Sequence, residues 1–398
     1  MRVTMICCPF KTSFGSYTNS LKTAIESKTG SSVRWVGSNC GCGDPQEVNR
    51  QFQISMPQGD YFDLPMYGEY RSTKAWRRSA RSAARSVLTA ARGRRYASMS
   101  RGADVVHFQQ VLNAYGSKAV FSWLKQPSDA SRIITVHELD ADQLESPKRN
   151  AIYNRADGII VHCEEMRQHL LRLGVEREKI HVVLYGTSLP APLVDSSREG
   201  ILFYCGHKVM TGKGIDTLFK AMQIVKAKMA ERTPMLKILG HYGTTTPPEA
   251  LQLAVDHGVD DKIVWVNQLP EEETVRLFQR SLFCVLPYTG SFAGYAASLA
   301  AACRLPVVCT RKAGLPDYLG EDGVWIEENS PALLAERMIE MIENQPRRSK
   351  LGEQLFKRAQ AFLSWDVIAE QTLKIYEDAQ QKKAGRQVNT TASIARAS

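Results

Sequence analysis

The stretch CGHKVMTGKGIDTLFKAMQIV, residues 205–225, reads as the end of a strand, a glycine-rich turn and the start of a helix. The apolar run ILFYC before it has strand length, and from about Ile215–Asp216 the apolar residues recur at helical spacing. Between them, Gly206, Gly212 and Gly214 bend the chain. Lys208 and Lys213 stand in that turn, five residues apart. Cations beside the free backbone N–H groups of a helix N-terminus suit a phosphate or pyrophosphate. A glycine–lysine turn by itself also occurs on many surfaces, so its meaning depends on its surroundings.

Working outward, strands and helices alternate through the whole chain, which predicts doubly wound α/β domains with parallel sheets. In the first half the strands are RVTMICC, SVRWVG, DVVHF, RIITVH, GIIVH and IHVVLY, with helices over Tyr17–Ser27, Ser117–Leu124 and Glu164–Leu173. SLPAPLVDSSREG (188–200) is rich in Pro and Ser and reads as a linker. A second alternation runs from ILFYCG through MLKILG, KIVWV, LFCVLP and LPVVCT to GVWIEE. The expected division is two Rossmann-like domains over 1–190 and 198–365, facing each other across a cleft. A helix over 366–382 crosses back to the first domain, and 383–398 forms a polar, disordered tail.

Composition narrows the function classes. The 398 residues suffice for two domains with full cores, and the chain is 43% hydrophobic and 23% charged, as in soluble globular proteins. No apolar run reaches the ~18–20 residues that span a bilayer. MRVTMICCPFK is interrupted too early by Lys11 to be a secretory signal, so a cytoplasmic location is expected. Nine cysteines, an odd number, suggest reduced thiols; Cys40-Gly-Cys42 is the only tight pair, and no metal site is expected.

The formal charge of +10 is concentrated. Ten Lys and Arg residues and no acid lie between Arg71 and Arg101, among them Arg77, Arg78, Arg81 and Arg85. Trp76, Ala80, Ala84, Val87 and Leu88 interleave at helical spacing, so the segment is a basic amphipathic helix. Such a helix suits an anionic membrane surface, or docks its apolar stripe on its own domain. No recognition motif supports nucleic acid as the partner.

In order and wording the chain resembles the GT-B fold retaining nucleotide-sugar glycosyltransferases of the family 4 group. The resemblance is carried by the 205–225 turn and by ADVVHFQ (103–109), IITVHEL (133–139), ADGIIVHCEEMRQHLLRLGVEREKIHVVLYGT (156–187) and ETVRLFQRSLFCVLP (273–287). LPVVCTRKAGLPDYLGEDGVWI (305–326) and FLSWDVIAEQTLKIY (362–376) continue it. The family's Arg and Lys, five apart, become Lys208 and Lys213. The resemblance implies that these two neutralise the donor diphosphate and stabilise charge on the leaving group, with no cofactor or metal. It implies that His137 faces the donor sugar, that Gly15 and Ser16 form a glycine turn near the donor phosphates, and that Gly206 belongs to the same donor site. His107 reads as structural, and Asp317 as a cap.

SFAGYAASLAAACRLPVVCT (291–310) departs from the family. Two glutamates, eight apart, normally hold the donor sugar and the ribose; here the places are Ser291 and Leu299. Gly294 matches the loop glycine, and Tyr295 follows it. Ser291 can still hydrogen-bond and cap a helix, whereas Leu299 cannot hydrogen-bond. A hydrogen bond to a charged group is worth roughly 1.5–3 kcal/mol, so the loss weakens donor binding without removing the site. Three readings follow: a donor held by other groups, a deoxythymidine diphosphate donor, or an inactive GT-B scaffold serving as a partner subunit. The function expected is retaining transfer of a hexose-type sugar from UDP or GDP to a saccharide or lipid-linked acceptor, in polysaccharide or glycolipid synthesis. The enzyme is then peripheral on the cytoplasmic face of the membrane.

Overall fold

The computed structural model describes residues 1–7, 13–38, 60–62, 98, 100–109, 124, 128–137, 153–193, 197–206, 210, 212–240, 247–266, 269–290 and 294–397. They form two compact units: Met1–Val183 with Ile368–Ser398, and Leu184–Val367. Each is a parallel sheet with helices.

Unit 1 contains β1 (Val3–Cys7), α1 (Ser13–Thr29), β2 (Val33–Ser38), β3 (Asp60–Phe62), β4 (Val105–Gln109), β5 (Ser131–Val136), β6 (Gly158–Val161), α2 (Glu164–Arg172) and β7 (Ile180–Val182). The sheet order is β3-β2-β1-β4-β5-β6-β7. Every residue of β1, β4, β5 and β6 is buried. Burial on both faces is why these strands are dominated by apolar residues without strict alternation. Three-residue β3 was not expected from sequence; DYF is too short to carry a pattern.

Unit 2 contains β8 (Ile201–Gly206), α3 (Ile215–Met229), β9 (Leu236–Gly240), α4 (Pro248–Asp256), β10 (Ile263–Val266), α5 (Glu271–Gln279) and β11 (Phe283–Leu286). It continues with α6 (Gly294–Ala302), β12 (Val307–Thr310), α7 (Leu315–Leu319), β13 (Val324–Ile326), α8 (Pro331–Glu343) and α9 (Gln345–Phe362). The order is β10-β9-β8-β11-β12-β13. In both sheets the first strand lies centrally and the chain then grows outward on its other side. That reversal leaves a crevice at the carboxyl ends of β1/β4 and of β8/β11, where open α/β sheets bind ligands.

The uncharged α6 is buried at every residue but Tyr295, against α7 and α9. Its alanines allow close packing, and Gly352 of α9 completes the contact: a Cβ there would lie 2.4 Å from the Arg304 carbonyl oxygen.

The last helix, α10 (Trp365–Ala397), corrects the expectation of a disordered tail from 383 onward. The stretch KKAGRQVNTTASIARA has no proline and is rich in helix formers. Lys383 also fastens it to unit 1, its Nζ donating to the carbonyls of Ser128 and Ala130 at 2.6 Å each.

Candidate functional site

In unit 2 the segments after β8 and β11 are tied together at the switch point. The backbone N–H groups of Thr289 and Gly290 donate to the Gly212 carbonyl at 3.1 and 3.4 Å. Gly214 sits beneath this tie with φ +70°, and a Cβ on it would lie 2.0 Å from the Pro287 carbonyl oxygen. Only glycine satisfies both constraints. The turn delivers the chain into α3, and α6 starts after the neighbouring strand, so the positive ends of two helices meet the same crevice.

Lys213 stands in that turn, only 6% exposed. Its ammonium lies 3.9 Å above the centre of the Tyr288 ring. Burial pushes the Tyr288 hydroxyl well above its ordinary range, so a neutral ring meets the cation. Cation–π attraction reaches about 2 kcal/mol when desolvated. The ring is held at both ends: its hydroxyl donates to the Tyr204 carbonyl, and the Tyr288 carbonyl accepts from Thr310 Oγ1 at 2.5 Å. The acid in the first turn of α3, Asp216, is engaged by Lys220 at 2.6 Å and His257 at 3.4 Å.

Beside this lies an aromatic wall. Tyr295 packs on Tyr204 with ring centres 5.5 Å apart and on Tyr185 at 5.9 Å, and Tyr185 meets Trp365 at 6.4 Å. Leu299 is 4% exposed, part of the core of unit 2. The adjacent Ser298 Oγ donates to the Tyr185 carbonyl at 2.6 Å. Gly206 ends β8 with φ +62°. Asp317 lies in short α7, where Arg358 donates to the carbonyls of Asp317 and Tyr318 at 2.8 and 2.7 Å.

In unit 1, Gly15 and Ser16 lie in the first turn of α1, not in a turn before it, because the helix starts at Ser13. His137, just past β5, is 2% exposed and belongs to a buried polar row. His107 Nδ1 is 2.6 Å from Tyr376 Oη and its Nε2 is 2.7 Å from Thr135 Oγ1. Gln109 joins His107 to His137, with its amide 3.3 Å from His107 Nε2 and 2.9 Å from His137 Nε2. His137 Nδ1 is 2.9 Å from His162 Nε2, and His162 Nδ1 donates to the Val183 carbonyl at 2.9 Å. Tyr17 from α1 sets its ring edge-on to His137 and His162 at 4.8 and 5.1 Å.

Burial dominates the electrostatics of this row. It depresses His107 to about 3 and His162 to about 4, and holds His137 well below its ordinary value, with the neighbouring imidazoles adding to the effect on His107 and His137. The rings are strung out and do not converge; among the described residues no three His, Cys, Asp or Glu groups are placed to hold a metal ion.

The structure thus gathers Gly206, Lys213, Gly294, Tyr295 and Leu299 in unit 2, and places Gly15, Ser16 and His137 in unit 1. Lys208, Ser291, Arg77, Arg78, Arg81 and Arg85 lie outside the described residues, as does Cys40-Gly-Cys42. Sequence reading missed Gln109 and His162. The available signal was a polar residue closing an apolar strand run in three neighbouring strands, DVVHFQ, RIITVH and GIIVH.

Residues 198–344 match the family described as "Glycosyl transferases group 1", and residues 15–186 match "Glycosyl transferase 4-like domain". A "D-inositol 3-phosphate glycosyltransferase" of Corynebacterium efficiens is 27% identical over 69% of this chain and 72% of its own length. Four further corynebacterial relatives of that name are matched over 55–62% of their length. An uncharacterised glycosyltransferase of Methanocaldococcus jannaschii is 31% identical over 70% of this chain and 76% of its own. A sucrose-phosphate synthase structure from Thermosynechococcus elongatus superposes with TM-score 0.72 at 18% identity, over 95% of this chain and 98% of that one.

Proposed function

The chain belongs to the group 1, family 4-like glycosyltransferases of GT-B fold, and from that premise we propose that it moves a hexose-type sugar from a UDP or GDP donor with retention of configuration. The observation that carries this reading is buried Lys213 at the switch point of unit 2, between the positive ends of α3 and α6. Lys213, with Lys208 five residues before it, neutralises the diphosphate and stabilises charge as the sugar departs. Gly206, Gly294 and Tyr295 line the donor side, Ser291 is a further donor contact in this reading, and Leu299 removes a hydrogen-bonding group from its wall. Within unit 1 the residues of this reading are Gly15 and Ser16, in the first turn of α1, and His137, just past β5.

No side chain is assigned as nucleophile. The C1–O bond to the diphosphate breaks, the acceptor oxygen bonds C1 on the same face, and its proton passes to the leaving phosphate oxygen. Transition-state stabilisation in this scheme comes from lysines and backbone N–H groups, with no resident metal or cofactor. The acceptor is a saccharide or a lipid-linked acceptor, in polysaccharide or glycolipid synthesis. Arg77, Arg78, Arg81 and Arg85 bring the enzyme to an anionic, cytoplasmic membrane face. No helix of the described residues is long and apolar enough to cross a membrane.

The test is a thermal-shift titration with UDP, GDP, ADP and dTDP, with Lys213→Ala as control. A ligand at 100 Kd stabilises by about 2.7 kcal/mol. Stabilisation by UDP or GDP, lost in the variant, supports the reading. A shift only with dTDP moves the donor class to the deoxyribose nucleotide that Leu299 tolerates, and no shift at millimolar concentration leaves the inactive scaffold.

A further inference from the structure

The geometry points to Tyr288 as the positioning residue of Lys213: its ring face fixes the ammonium at the switch point of unit 2 and leaves the positive charge uncancelled for a diphosphate. What the ammonium receives there rests on the proposed function; that the ring holds it does not. Tyr288 falls between the stretches 273–287 and 291–310, so no sequence motif singled it out.

Tyr288 is fully buried, two residues past the end of β11. Its hydroxyl donates to the Tyr204 carbonyl of β8, and burial keeps that phenol protonated. Thr310 Oγ1, at the end of β12, donates to the Tyr288 carbonyl at 2.5 Å. Phe203 of β8 stands edge-on to the Tyr288 ring, with centres 6.4 Å apart. β8 and β12 are the strands on either side of β11, so the sheet itself fixes the ring. The backbone around Lys213 is fixed from the same side. Thr289 and Gly290, which follow Tyr288, donate to the Gly212 carbonyl, and Gly214 fits against Pro287. The ammonium, 3.9 Å above the ring centre, adds a side-chain tie between the two turns.

A ring suits this task better than an acid does. A loose lysine head would be ordered only when a ligand arrives, at a cost in affinity. A carboxylate could order it beforehand, but would also cancel its charge and compete with the incoming anion. The face of a neutral ring attracts the cation through its quadrupole, most strongly where water is excluded. Lys213 is 6% exposed, which places the contact at that strong end. The acid nearest to it in sequence, Asp216, is engaged by Lys220 at 2.6 Å and by His257 at 3.4 Å. A ring face engages one side of an ammonium, so the same group can bind a phosphate oxygen on another.

The experiment compares full-length Tyr288→Phe with the full-length chain carrying trifluorophenylalanine at the same position, a ring of similar shape without the negative face. Residence over the ring is read by NMR of the ligand-free protein. The signal is the upfield displacement of the Lys213 ε protons, identified by their loss in Lys213→Ala. The displacement should be present in the native protein and in Tyr288→Phe, and largely lost with the fluorinated ring. Its absence from the native protein, or an equal displacement with both rings, overturns the proposal. The consequence is read by titration with inorganic pyrophosphate, UDP and GDP. The fluorinated ring should weaken binding by ~10-fold relative to Tyr288→Phe, and by less than about twofold when Lys213→Ala is also present. Equal affinity with both rings, or the same weakening in both backgrounds, makes Tyr288 merely structural and overturns its positioning role. A native protein that binds none of the three counts against the proposed function, while the displacement still decides whether the ring holds Lys213.

Discussion

The first six strands of unit 1 and the six of unit 2 share one order, and the carboxyl ends of the two sheets carry different chemistry. In unit 2 the switch point holds tight glycine turns, a buried lysine and the positive ends of two helices. In unit 1 the corresponding end holds three imidazoles whose charging burial opposes, an amide hydrogen-bonded between two of them, and the Tyr376 hydroxyl bonded to His107. In the proposed function the first of these ends receives negative charge. The other is built to exclude charge while keeping polar groups in fixed orientation. Fold alone supplied the crevice; side chains at strand ends and in the following turns made the two crevices different.

This contrast can be broken most severely at Gly214. Gly214→Val places side-chain atoms against Pro287 at a φ of +70°, and should cost more than ~4 kcal/mol or prevent unit 2 from folding. Circular dichroism melting checks this. Leu299→Ala should cost about 2–5 kcal/mol, because Leu299 is core in unit 2. A loss below ~1 kcal/mol would mean that Leu299 faces a site more than a core.

Acid separates the units. His107 and His162 are depressed to about 3 and about 4 in the fold, against roughly 6.5 unfolded. As pH falls from ~6.5 to ~4 the unfolded chain takes up protons that the folded chain refuses, so unit 1 loses stability on the order of a few kcal/mol. Above pH ~7 these groups contribute no pH dependence. Hydrogen exchange should show β4–β6 opening at pH 5 before β8 and β11 do. At the small end, the exposed Arg276–Glu272 pair on α5 should matter little: Arg276→Ala is expected to shift stability by less than ~0.5 kcal/mol.

Much of this was legible in the sequence because buried parallel strands announce themselves. GIIV is apolar throughout, IITV is β-branched throughout, and the glycine turn at 205–225 marks the switch point of unit 2 directly. The start of α1 was read four residues late, since SFGS has weak helix preference and gains its helical form in the fold. The helix beyond Lys383 was read as tail because its docking depends on carbonyls of residues 128 and 130, more than 250 positions away. For the same reason the histidine row was invisible: His107 meets Tyr376 across 269 residues, and His137 meets His162 across 25. Single strands reveal which residues are polar at their ends; only the sheet order reveals which of those ends are neighbours.

The most direct test of the contrast is donor turnover measured as nucleotide release from UDP- and GDP-hexoses, in the native protein, Lys213→Ala and Lys213→Arg. The account predicts that Lys213→Ala loses ~10²-fold or more in rate while Lys213→Arg, which keeps the cation, retains a substantial part. A Lys213→Ala enzyme with native turnover would contradict the assignment of unit 2 as the charge-receiving end.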